Sequence, residues 1–109
     1  MKQSNHVTLV VTVPESHADA VRKAMGKAGA GKIGNYSHCS YSAKGIGRFM
    51  PLKGASPHLG KEDVLEEVVE ERIETMCSKD LLEHVLEAIK KAHPYEEPVI
   101  YIHPLYEPS

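Results

Sequence analysis

Glu67-Val68-Val69-Glu70-Glu71-Arg72-Ile73-Glu74-Thr75-Met76-Cys77 supports two readings, and the choice between them sets the fold. The glutamates from Glu62 onward favour helix. Val69, Glu71, Ile73, Thr75 and Cys77, however, alternate with Glu70, Arg72, Glu74 and Met76, which is the two-residue period of a strand with one face turned inward. We read a strand from about Glu67, with the glutamates between Glu66 and Glu74 as a solvated face. On its C-terminal side Ser78 is a natural N-cap. Leu81, Leu82, Val85, Leu86, Ile89 and Ala92 then form one apolar helical stripe, Lys90-Lys91 suit the negative end of the helix dipole, and Pro94 stops it. Val99 to Leu105 alternates again and closes the chain as a strand.

The N-terminal half repeats the scheme. Between His6 and Val13, Val7, Leu9, Val11 and Val13 share one face and Thr8, Val10 and Thr12 the other, as a half-buried strand requires. Pro14-Glu15-Ser16 opens a helix, with Ser16 and Asp19 at capping-box spacing and Ala18, Val21, Met25 and Ala28 on its inner face. Gly29 stops it. Asn35 to Ala43 reads as a second strand, Gly45 and Gly47 as a tight reversal, and Arg48-Phe49-Met50 as the short arm of a hairpin. Lys53 to Lys61, with Gly54, Pro57 and Gly60, is a loop. The order is therefore βαββαβ: an α+β, ferredoxin-like sandwich with both helices on one face of a mostly antiparallel sheet, the other face open, and a hairpin arm after the second strand.

At 109 residues the chain is the size of one domain, spanning residues 1–109, and its Met1 and full element order fit a complete gene product. Acidic and basic residues nearly balance at a net charge of −2, and no basic stripe exists to follow phosphates, which argues against a nucleic-acid partner. Cys39 and Cys77 lie far apart and in no Cys-x-x-Cys pair, so free thiols in the cytoplasm are expected. The apolar run near the N-terminus has only strand length, too short for a secretory segment or a membrane span.

Gly29-Ala30-Gly31-Lys32-Ile33-Gly34 matches the dinucleotide pattern G-x-G-x-x-G, and Gly26 to Lys32 matches most of a phosphate-binding loop. The context is reversed, because these glycines end a helix and lead toward a strand. A phosphate cradle needs them to follow a strand and open a helix. No nucleophile elbow, Ser-His-Asp order or isolated carboxylate pair is present, so the chain reads as non-enzymatic.

Three segments carry a family resemblance: Gly29 to Ser40, Gly45 to Leu52 with Gly54-Ala55-Ser56-Pro57, and Ala92-His93-Pro94-Tyr95-Glu96-Glu97-Pro98. In order and spacing they resemble the domain inserted into bacterial Nif-three-like (NGG-interacting-factor) proteins. That resemblance implies a ferredoxin-like fold similar to the signalling protein PII and the trimeric protein CutA, and implies a homo-oligomer, dimer or trimer. The family's di-metal core lies in flanking lobes and has no counterpart here, so its cyclohydrolase-type activity is not implied for this chain. What the resemblance implies is a small binding or regulatory module of unknown ligand, with Asn35, Tyr36, His38, His58, Tyr95 and Glu97 as candidates for ligand or subunit contact.

The alternative is divalent-metal binding, zinc or copper, with His38, His93 and Glu96 as ligands converging within or between subunits. In a strand, His38 and Cys39 would point to opposite faces, which weighs against both holding one ion. The bland readings stand beside it: His93-Pro94 as a helix end, Tyr95 packed under the turn, Glu96-Glu97 capping amides, and Cys77 as a small buried hydrophobe.

Overall fold

The computed structural model describes residues 1–107. The elements are β1 (Lys2–Pro14), α1 (Glu15–Lys27), β2 (Tyr41–Phe49), β3 (Glu66–Ser78), a 3-10 turn (Lys79–Leu81), α2 (Leu82–Ala92) and β4 (Ile100–Glu107). They form one antiparallel sheet in the order β2-β3-β1-β4, so the fold is the α+β ferredoxin-like arrangement expected from the element order. The alternation in β3 was the correct signal: Ile73, Thr75 and Cys77 are buried, and Val11 pairs with Ile73 at the centre of the sheet.

One sheet face meets the helices. Val7, Leu9, Val11 and Val13 of β1 pack there against Ala18, Val21 and Met25 of α1 and Val85 and Ile89 of α2. Each such Val, Leu, Ile or Met side chain contributes about 1.5–3 kcal/mol on burial. Arg22 ties α1 to the sheet, donating to Ser42 of β2 at 3.0 Å and to Glu71 of β3 at 2.5 Å. On the opposite face, cross-strand pairing lines up Tyr41, Glu74, Val10 and Tyr101 as a row, with Gly45, Glu70 and Pro14 in another.

The helix stop at Gly29 is a Schellman motif: Ala30 N–H reaches Met25 O at 3.0 Å and Gly29 N–H reaches Gly26 O at 3.1 Å, with Gly29 at φ 109°. The glycine run is thus a helix terminus, as its context required. Beyond it, Gly34 at φ 57° and Asn35 form a two-residue reversal closed by paired hydrogen bonds of 2.9 Å between Ile33 and Tyr36.

Several boundaries differ from expectation. The second strand is Tyr41–Phe49 and not Asn35–Ala43, so Asn35 and Tyr36 sit in the preceding turn and His38 and Cys39 lie outside any strand. Gly45 and Gly47 make no reversal. They are inside β2, paired with Glu70 and Val68, and the arm is instead the overhang of β2 and β3 beyond the end of β1. The capping box at Ser16 and Asp19 is not formed: Pro14 holds the N-cap position, Ser16 Oγ lies 2.8 Å from His17 Nδ1, and Asp19 pairs with Arg22. Ser78 precedes a 3-10 turn and makes no side-chain cap, leaving Leu81 exposed off the apolar stripe of α2.

Candidate functional site

A cleft of about 550 Å³ opens between the β2–β3 ladder, the long loop and the segment after α2. Its floor is the helix-free face of the sheet, contributed by Thr12, Gly45, Gly47, Glu70 and Arg72. Its walls come from Phe49 and Pro51 at the end of β2, from Ala55 to Leu59 in the long loop, and from Tyr95 to Val99 after α2. The walls are largely apolar, which makes this the default ligand site of the molecule.

Glu70 is the unexpected member. It falls on the polar side of the β3 alternation, yet it is only 8% exposed and not part of a solvated face. Room for it exists because Gly47 lacks a side chain: a Cβ there would overlap Glu70 Oε1. Tyr95 donates its hydroxyl to Glu70 Oε2 at 2.8 Å. Burial, reinforced by the hydrogen bond and charge of Glu70, pushes the Tyr95 hydroxyl pKa well above its ordinary value, so it remains a donor. The signal in the sequence was the pair of glycines two apart within a strand, which clears space on one face.

Tyr95 is held by His93. The His93 ring is buried, with Nε2 2.7 Å from Thr12 O and Nδ1 3.1 Å from Tyr95 N. The Tyr95 amide can only donate, so Nδ1 accepts and Nε2 carries the proton. Burial lowers the His93 pKa below its ordinary 6.5, and the nearby His17 and His58 act in the same direction against Thr12 O and Glu70. Glu96 Oε1 accepts the Ser56 N–H at 3.2 Å, tying the long loop to the segment after α2. His58 places its ring 6.4 Å from Tyr95 and 5.5 Å from His17.

Of the residues singled out in the sequence, His58, Tyr95, Glu96 and Glu97 line the cleft, and His93 supports it through Tyr95. Asn35, Tyr36 and His38 do not join them. His38, at φ 59°, lies against Gly26 near the far end of α1 with Nδ1 2.9 Å from Ser37 Oγ. Gly26 is nine residues beyond His17, or about 14 Å along the helix. One chain therefore does not bring His38 to His93 and Glu96, and among the described residues no group of three His, Cys, Asp or Glu side chains is arranged to hold a metal. Both cysteines are free. Cys77 is buried, and burial raises its thiol pKa.

No family model matches the chain. It is 50% identical over 97 residues to a protein of Halalkalibacterium halodurans named GTP cyclohydrolase 1 type 2 homolog, covering 89% of this chain and 26% of that protein. A Bacillus subtilis protein of the same name is 48% identical over 97 residues, with the same coverage. This chain thus spans about a quarter of the length of the curated relatives it matches. Among solved structures, a Bacillus cereus protein related to NIF3 superposes with a TM-score of 0.82 at 44% identity, over 97% of this chain and 26% of that one. The periplasmic divalent cation tolerance protein CutA of Archaeoglobus fulgidus superposes with a TM-score of 0.68 at 17% identity, over 95% of this chain and 87% of that one, a likeness of fold. The chain is a homologue of a quarter-length segment of Nif-three-related proteins, as the resemblance in its sequence implied, and shares the ferredoxin-like fold of CutA.

Proposed function

We propose that this chain is a non-catalytic, self-associating binding module of the cytoplasm whose ligand site is the cleft between the β2–β3 overhang and the segment after α2. The observation that carries this reading is the buried Glu70 carboxylate, held by the half-buried Tyr95 hydroxyl, at the base of an apolar cleft. A carboxylate buried in this way is costly where it only fills space, and it fixes the orientation of a guest where one binds. Association is supported by the open sheet face, where Tyr41 and Tyr101 are 70% and 57% exposed, and by the two edge strands, β2 and β4. The cyclohydrolase named for the relatives is not proposed for this chain. Its cleft sets no nucleophile beside a base, and about three quarters of each relative lies outside the match. No helix among the described residues is long and apolar enough to cross a membrane.

Native mass spectrometry of untagged protein at micromolar concentration tests both halves. A dimer or trimer, carrying or accepting a small molecule, is the expected outcome; a strict monomer that takes up nothing overturns the reading. Retained zinc or copper, lost in His38→Ala, would support the metal-binding alternative instead, with ligands shared between copies.

A further inference from the structure

The cleft carries more carboxylate than free cation. Glu70 lies at its base, and Glu96 and Glu97 stand exposed at its rim. The two arginines that line it are engaged elsewhere, Arg72 with Glu74 and Arg48 with Glu67 at 3.7 Å. Among the described residues Glu70 has no basic partner: Tyr95 occupies Oε2, and Oε1 lies beside the bare α-carbon of Gly47. No buried side-chain oxygen lacks a hydrogen-bond partner among the described residues, so Oε1, which has none, is open to the cleft, where a counter-charge or N–H donor can reach it. The surrounding rings suit such a guest. Phe49 and Tyr95 meet edge to face at 5.6 Å, with His58 beyond, and aromatic faces attract cations.

We propose that the cleft takes a small organic cation, an amine, amidine or guanidine on a flat or apolar body, whose N–H donates to Glu70 Oε1 while Tyr95 holds the other carboxylate oxygen in place. The proposal rests on the cleft being the ligand site. A bare metal ion requires three or four converging donors, which the described residues do not assemble here. An anion would face three carboxylates with both lining arginines already paired.

Benzamidine, benzamide and benzoate share one ring and differ in charge, so an amide NMR titration of the full chain with each separates the terms. Benzamidine is expected to move the amides of Gly47, Glu70 and Tyr95, with benzamide at least about tenfold weaker and benzoate silent. Glu70→Gln keeps an acceptor for the Tyr95 hydroxyl and removes the charge; it should weaken benzamidine by about tenfold or more while leaving amides outside the cleft unmoved. Unchanged benzamidine affinity in that variant overturns the proposal. So does benzamide or benzoate binding as tightly at the same amides, an outcome that leaves the cleft standing as a ligand site. No movement of these amides with any of the three compounds overturns the cation and the cleft together.

Discussion

Gly47 has no side chain, and Glu70 occupies the space that one would take. Gly47→Ala should therefore displace the carboxylate from Tyr95 and lower stability by about 1–3 kcal/mol, as overpacking does. Nothing lies within 4 Å of where a Cβ at Gly45 would sit. Gly45→Ala should be neutral or stabilising by up to about 1 kcal/mol, since glycine inside a strand carries excess chain entropy. Urea denaturation of the two variants checks the contrast, and equal effects would remove Gly47 from its role. His93 makes a second prediction at this scale. Its folded pKa lies below the ordinary 6.5, so the unfolded chain takes up the proton first as pH falls. The stability His93 contributes is complete above pH 6.5 and is lost below it, as protonation at Nδ1 opposes the Tyr95 N–H. His93→Gln should flatten the pH dependence of the denaturation midpoint between neutral pH and the folded pKa; an unchanged slope would assign it to other groups.

The two helices are held by a few fully buried side chains. In α2 only Val85 and Ile89 are buried, and each is fully so. Ile89→Ala should cost about 2–5 kcal/mol, whereas Lys90→Ala on the exposed side should change stability by less than about 0.5 kcal/mol. Comparing thermal midpoints tests this, and a mild Ile89→Ala would mean that α2 settles into the space left behind. The elements were legible where periodicity met burial. β3 reads as a strand because Ile73, Thr75 and Cys77 return to the core every second residue, in spite of its glutamates. The site was less legible because its chemistry is created by pairing across strands. Gly45 and Gly47 look like turn residues until β3 is laid beside them, and Glu70 looks solvated until Gly47 makes room for it. His93 and Tyr95 stood out in the sequence, but their bonds reach Thr12 and Glu70, 81 and 25 residues away, a distance no local pattern encodes. Ser78 holds the N-cap position of the turn that leads into α2 but makes no side-chain cap, and Ser16 is not the N-cap at all, because an N-cap residue type is common where its hydrogen bond is absent.

At the scale of the molecule the sheet face opposite the helices presents Tyr41 and Tyr101 at the two ends of a row whose middle members are the half-buried Glu74 and the buried Val10. If copies associate through it, Tyr41→Asp with Tyr101→Asp should shift the population to monomer while leaving the circular dichroism spectrum unchanged. Light scattering after size exclusion reads the result, and an intact oligomer in that double variant would place the contact at the strand edges instead.

The chain measures 49 × 26 × 23 Å, and its length comes from strands that outrun their neighbours. Glu66 to Val69 pair only with β2, and at the opposite end Lys2 and Gln3 pair only with β4. Two-stranded ladders open at far lower free energy than the middle of a four-stranded sheet. Amide hydrogens of Leu9, Val11 and Ile73 should thus exchange with solvent slowest, and those of Ile46 to Phe49 among the fastest in the sheet. Gly47 and Phe49 belong to the cleft, so the site is built partly on backbone that unzips without unfolding the rest. Occupancy of the cleft would then be written in deuterium, as slowed exchange along one overhanging ladder of an otherwise unchanged protein.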